Sequence, residues 1–181
     1  RDWFLIQHLQ LQINQTEHDI LDDSFAILAK NALAQPQVWV HRDYHSRNLM
    51  VTEQANPGVL DFQDAVIGPI TYDLVSLLRD CYISWPDAWV NQWALNYQRR
   101  LQDRGLLKTD EATFLKWFDL MGVQRHLKAI GIFARLNLRD GKPSYLKDIP
   151  RTLNYVLEVS ARYSQLAPLH QFLNNKTIDI S

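Results

Sequence analysis

The sequence has almost no cysteine. Cys81 stands alone, which excludes a disulfide framework and a cysteine metal cluster, and a reducing, cytoplasmic compartment is expected. Excess charge of either sign is also missing: 19 basic against 20 acidic residues leave a formal net charge of −1. The basic residues are dispersed, so neither nucleic acid nor an anionic membrane is an expected partner. No apolar run approaches the roughly 20 residues of a membrane-spanning helix, and no signal-peptide pattern opens the chain. There is no internal repeat, no low-complexity tract and no linker that would split a domain. Glycine is scarce, with six in 181 residues.

What is present is an ordinary globular composition, 46% hydrophobic and 22% charged, long enough for one well-packed domain. Trp3, Phe4, Ile6, Leu9 and Ile13 follow helical spacing and predict a first helix ending near Asn14. Because the chain starts at Arg1 inside that pattern, a piece of something longer is expected. Thr16 and Asp19 are the expected cap of a second helix, which carries Ile20, Leu21, Phe25, Leu28 and Leu33 and stops at Gln35-Pro36. Then the period changes: Val38–Val40, Asn48–Thr52 and Val59–Phe62 read as short strands around a polar loop, residues 41–47. After Gly68-Pro69 helices are expected over Asp73–Cys81, from Pro86 to Arg104 with a stop at Gly105, over Glu111–Leu138 and over Ile149–Tyr163. The expected class is mainly α with a small β element.

The polar loop, VHRDYHSRNLMV, carries the chemistry. His41, Asp43 and Asn48 form H-x-D-x-x-x-x-N, and Leu60-Asp61-Phe62 follows at the end of an apolar strand. Phosphoryl transfer from ATP needs one carboxylate to orient the attacking hydroxyl and accept its proton, and a separate set of oxygen ligands for Mg²⁺. Asp43 suits the first role, Asn48 and Asp61 the second. Positioning two such sets is most of what a kinase contributes. A polar hairpin loop followed by a capping aspartate is the plainer alternative.

The same residues resemble the catalytic and metal-binding loops of the protein-kinase-like superfamily, specifically its small-molecule branch, the aminoglycoside phosphotransferase family. Gln63 stands where protein kinases have the glycine of D-F-G. His45 completes D-x-H-x-x-N, the pattern of sugar, choline and antibiotic kinases. No A-P-E follows, and the short stretch before Tyr72-Asp73-Leu74 leaves no room for a protein-substrate activation loop. Asp73 matches the family's aspartate that braces the catalytic loop together with His41; a helix N-cap is the alternative reading. The longer strings HRDYHSRNLMV, GVLDFQDAVIGPITYDLVSLLRDCY and QRHLKAIGIFARLNLRDGK resemble the anomeric kinases of N-acetylmuramate and N-acetylglucosamine, which act in peptidoglycan recycling.

The resemblance implies an ATP- and Mg²⁺-dependent phosphotransferase acting on the anomeric hydroxyl of an amino sugar. The chain lacks a glycine-rich phosphate loop and a strand lysine upstream of residue 41. Residues 1–181 are therefore expected to be a kinase-like C-terminal lobe whose N-terminal lobe is missing, and the piece alone is expected to be inactive. Within it lie the catalytic loop 41–48, the metal-binding segment 59–64 and a helical substrate subdomain 73–181. His45, Arg79, Asp80 and Arg125 are expected to contact substrate, Arg125 because a guanidinium pairs bidentately with a lactyl carboxylate. Another small-molecule kinase of the same fold, acting on an aminoglycoside, choline or homoserine, stays open, as does a catalytically silent kinase-like binding module. Trp85, Trp89 and Trp93 recur every fourth residue; a sugar-stacking platform is one reading and a core stripe is the expected one.

Overall fold

The computed structural model describes residues 1–177. The chain divides into two compact units, Arg1–Lys30 with Val123–Ser181, and Asn31–Gly122. Six α-helices are found among the described residues: α1 Gln15–Leu33, α2 Tyr72–Leu78, α3 Asp87–Asp103, α4 Glu111–Leu138, α5 Ile149–Arg162 and α6 Ala167–Thr177. Four short strands, β1 Gln37–Val40, β2 Leu49–Met50, β3 Gly58–Val59 and β4 Val66–Pro69, make two separate two-stranded antiparallel sheets, β1 with β4 and β2 with β3. None of the helices is long and apolar enough to cross a membrane. The mainly helical class with a small β element is what composition and periodicity led us to expect.

In the unit containing residues 1–30, the first helix is shorter than its apolar spacing implied. Asp2–His8 form a wide helical stretch in which the Leu9 N–H donates five residues back to the Phe4 carbonyl, at 2.9 Å. Gln10 then takes a left-handed conformation at φ 55°, which ends the helix before Ile13. The cap of α1 is Asn14 with Glu17 rather than Thr16 with Asp19. Asn14 Oδ1 accepts the Glu17 N–H at 3.0 Å and the Glu17 carboxylate accepts the Asn14 N–H at 2.9 Å, a reciprocal capping box. The Lys176 ammonium, 2.8 Å away, and that N–H hold the Glu17 carboxyl below its usual range. The same unit contains α5 and α6, and α6 was not anticipated.

The unit spanning Asn31–Gly122 holds the polar loop. Its core gathers Ile70, Val75, Leu78, Val90, Ala94, Leu107, Phe114, Phe118 and Met121, with Val38, Tyr97 and Trp117 packed against them. Strand β4 is not among the short strands that the sequence pattern predicts. It pairs with β1 in the register Val38↔Gly68 and Val40↔Val66, and that pairing makes a strand of a segment whose Gly-Pro content argues for none. Gly68 has a packing reason: a Cβ there would lie 2.8 Å from Val40 Cγ2. Past β4 the chain is locked by the buried side chain of Gln35, whose Oε1 accepts from the Thr71 hydroxyl at 2.7 Å and its N–H at 3.3 Å. Thr71 precedes α2, so this bond sets where the first turn of α2, and Asp73 with it, begins.

Candidate active site

Two aspartates at opposite ends of α2 hold the polar loop from below. The Asp73 carboxylate accepts two consecutive backbone N–H groups, His41 at 2.6 Å and Arg42 at 3.0 Å. Arg42 sits at φ 78°, a conformation that a non-glycine residue keeps only when its surroundings over-determine it. The paired N–H bonds supply that constraint. Asp73 therefore does more than an N-cap would, since its oxygens leave its own helix for the loop. Its charge is also felt by Tyr97, whose hydroxyl is pushed up by burial first and by Asp73 second.

Asp80, just past the other end of α2, performs the matching task. One of its oxygens accepts the Ser46 N–H and the other the Tyr82 N–H, each at 2.9 Å. Asp80 and Arg79 were expected to reach substrate hydroxyls, but both residues are buried. Arg79 Nη2 donates to Asp119 at 2.6 Å, and its guanidinium lies 4.7 Å from the Phe118 ring centroid. Gly122 lies against it: a Cβ there would come 3.2 Å from Arg79 Nη1. An arginine walled in this way contributes to packing and charge pairing inside the unit.

Between these braces the loop is closed by its own backbone. The Asp43 carbonyl accepts the His45 N–H at 3.0 Å and the Asn48 side-chain Nδ2 at 2.9 Å. The Asp43 carboxylate makes no hydrogen bond or ion pair among the described residues. The backbone of the residue thus shapes the loop while its carboxylate takes no part in closing it. His41 Nε2 lies 2.8 Å from the Leu60 carbonyl. A carbonyl only accepts, so Nε2 carries the proton and the ring ties the loop to the strand end that presents Asp61.

Asp61 arrives by way of the β2–β3 hairpin, paired Leu49↔Val59 and Met50↔Gly58, and the Leu60 N–H donates back to the Asn48 carbonyl at 2.9 Å. Asp61 itself is at φ 65°, the second strained non-glycine residue of the site. Its Oδ2 lies 3.5 Å from Asn48 Nδ2, so the two residues do converge. Gln63, in the position of the expected glycine, donates from Nε2 to Asp61 Oδ1 at 2.7 Å.

The donor set can be tested for Mg²⁺. The Asn48 amide is oriented by the bond from its nitrogen to the Asp43 carbonyl, which leaves Oδ1 as its acceptor, and Asp61 is an exposed carboxylate. No cluster of three or more His, Cys, Asp or Glu that could hold a metal occurs among the described residues. One amide and one carboxylate oxygen are too few for an all-protein cage. They suit Mg²⁺, which keeps waters and takes its remaining ligands from substrate phosphates. The residues fit.

Of the remaining expected contacts, His45 is half-buried and packs edge-on against the Tyr82 ring, centroids 5.4 Å apart. Arg125 is half-buried on α4, in the unit containing residues 1–30. Sequence reading missed the Ser46 N–H, the Leu60 carbonyl, Gln63, Tyr82 and Asp119. The first two are backbone groups and leave no side-chain signal. Gln63, two residues beyond Asp61, was legible as a neighbour but not as a partner.

A family model described as "Phosphotransferase enzyme family" matches residues 1–112. Over 174 residues the chain is 48% identical to an N-acetylmuramate/N-acetylglucosamine kinase of Neisseria meningitidis serogroup B, covering 95% of this chain and 52% of that protein. Kinases of the same name from Pseudomonas putida and Pseudomonas aeruginosa are each 46% identical over 173 residues, covering 95% of this chain and 51% of each relative. The chain thus spans about half the length of the curated relatives it matches.

Proposed function

Because the chain belongs to the phosphotransferase enzyme family, we propose that it is the catalytic-loop half of a kinase-like sugar kinase. Its protein would transfer phosphate from ATP to the anomeric hydroxyl of an N-acetylated amino sugar, in the cytoplasm and as a step of peptidoglycan recycling. The observation that carries this reading is the meeting of Asn48 and Asp61 beside Asp43, on a loop braced at both ends by Asp73 and Asp80. The identity to three named amino-sugar kinases supports the acceptor over an aminoglycoside, choline or homoserine. An intact catalytic set also speaks against a silent binding module.

In this reading the Asp43 carboxylate orients the sugar hydroxyl and takes its proton. Asn48 Oδ1 and the Asp61 carboxylate hold Mg²⁺, which when bound neutralises phosphate charge. Gln63 fixes the rotamer of Asp61 before metal arrives. His45 and Arg125 remain the proposed substrate contacts, while Arg79 and Asp80 are proposed as frame. The test is an assay of the full-length protein with MgATP against a panel of amino sugars, aminoglycosides, choline and homoserine. Turnover confined to a non-sugar acceptor would overturn the assignment.

Metal dependence separates the two proposed ligands. Asp61→Ala is expected to abolish Mg²⁺-nucleotide binding, and Asn48→Ala to weaken it less, because a carboxylate brings charge as well as an oxygen. Calorimetry giving wild-type MgATP affinity to Asp61→Ala would refute the role.

The two small sheets expose Trp39, Met50, Val66 and Ile67, and the segments that follow β2 and β3 expose Val51 and Phe62, all in the unit that holds the loop. So large a set of bare apolar side chains on a monomer marks a surface that something covers. We assign it to the N-terminal lobe that the relatives' greater length accommodates, with the glycine-rich loop and lysine that would complete the nucleotide site. Residues 1–181 alone are then expected to bind a hydrophobic dye, and MgATP is expected to raise their melting temperature little. A large, saturable thermal stabilisation by micromolar MgATP would show the nucleotide site to be complete without that lobe.

A further inference from the structure

The tryptophan stripe, which begins at Trp85 just before α3 and continues along the helix, does not enter the core. Trp85, Trp89 and Trp93 are 38%, 51% and 36% exposed. The core is fed by the adjacent row, Val90, Ala94 and Gln98, which are buried. The three indoles touch one another at angles: Trp85 and Trp93 meet nearly perpendicular (82°) with centroids 5.6 Å apart, and Trp89 and Trp93 are tilted by 58° at 5.8 Å. Angled rings form a creased surface with two faces, unlike a flat stack. Gln92 and Asn96, both exposed, fall on the same side of the helix, three residues beyond Trp89 and Trp93 respectively.

The stripe is connected to the catalytic loop through a short, packed segment. Tyr82 receives the Arg47 guanidinium over its ring at 3.5 Å and the His45 ring edge-on, and its N–H is held by the same Asp80 that holds Ser46. Two residues, Ile83 and Ser84, separate Tyr82 from Trp85, so their Cα atoms lie at most about 11 Å apart. The first indole therefore belongs to a residue whose Cα lies within about 11 Å of the Cα of Tyr82, which packs on the loop.

We propose that Trp85, Trp89 and Trp93 form a stacking platform for the pyranose ring of the acceptor, or for its part remote from the reacting hydroxyl. The proposal rests on the sugar-kinase reading and names the surface that would select the acceptor. A pyranose presents a face of C–H groups bordered by hydroxyls, and an N-acetyl group adds an amide. Indole faces match the former, and the neutral amides of Gln92 and Asn96 match the latter in both donor and acceptor capacity. A purely apolar partner would leave those amides unpaired.

The experiment is steady-state kinetics of the full-length protein with N-acetylglucosamine as varied acceptor. Trp89→Ala is expected to raise the sugar KM about tenfold or more while the ATP KM stays within about twofold, and Trp89→Phe to restore most of the loss. An unchanged sugar KM, or equal rises in both constants, overturns the platform. So does conversion of a dimer to monomer by Trp89→Ala in sedimentation with the sugar KM unchanged, which would make the stripe a self-association face. If the wild-type protein phosphorylates no amino sugar, the functional reading fails separately. The platform is then decided by NMR: N-acetylglucosamine must shift the indole N–H signals assigned by Trp→Phe substitution, and unmoved signals overturn it.

Discussion

Asp43→Asn in the full-length protein is expected to keep ATP affinity and to lose at least about 10²-fold in turnover, the low end for a positioned base. The structure makes this substitution a clean one. The contributions of residue 43 to the loop are backbone ones, since its carbonyl accepts the His45 N–H and the Asn48 amide. Asparagine preserves that carbonyl, and the side chain it replaces has no partner to lose. The loop's anchors, Asp73 and Asp80, are untouched. Melting temperature and ATP affinity should therefore stay near wild type while chemistry fails, because an amide cannot accept the hydroxyl proton. Near-wild-type turnover would remove Asp43 from the mechanism. A collapse of stability together with turnover would instead mean that the carboxylate belongs to the frame.

Arg79→Ala is expected to destabilise the protein by about 3–5 kcal/mol, the cost of breaking a buried ion pair by removing one member. The Arg79 and Asp119 side chains are only 2% and 9% exposed, and their contact is 2.6 Å. Removing the guanidinium breaks that contact and opens a void beside Phe118 and Gly122. For a chain of this size the melting temperature should fall by roughly 6–20 °C. The double substitution Arg79→Met with Asp119→Leu should recover most of the loss, because a buried ion pair is replaceable by apolar residues of similar volume. Full recovery of stability with reduced turnover would show that the pair also sets the Asp73–Asp80 spacing. A melting temperature unchanged in Arg79→Ala would show that the pair is solvated in solution.

The spacing H-x-D-x-x-x-x-N needs no tertiary information. Its residues are close in sequence, so any loop that brings His41 and Asn48 together leaves Asp43 between them. Asp61 was reachable for a related reason: the β2–β3 hairpin is short, and a short hairpin returns the chain to where it left. The periodic helices were legible because apolar residues three and four apart must share a face. Residue type thus determined the chemical inventory, two carboxylates and an amide, along with the mainly helical class and the long helix over Glu111–Leu138.

Tertiary structure decided which of two equivalent faces is buried and which partner each charge takes. The tryptophans at 89 and 93, preceded by Trp85 just before the helix, and the row at 90, 94 and 98 are adjacent on α3, both helically spaced, and periodicity ranks the tryptophans first. The core around Phe114 and Phe118 took the smaller row, which leaves the indoles outside. Arg79 and Asp80 are neighbours with opposite charges, and sequence alone would pair them. Folding instead gives Arg79 to Asp119, 40 residues away, and Asp80 to the Ser46 N–H, 34 residues back. Strand β4 exists because β1 offers it hydrogen bonds, and the strained Arg42 because Asp73 accepts its N–H. Each of these outcomes turns on a contact between distant residues, whose energy depends on burial and geometry that no local pattern encodes.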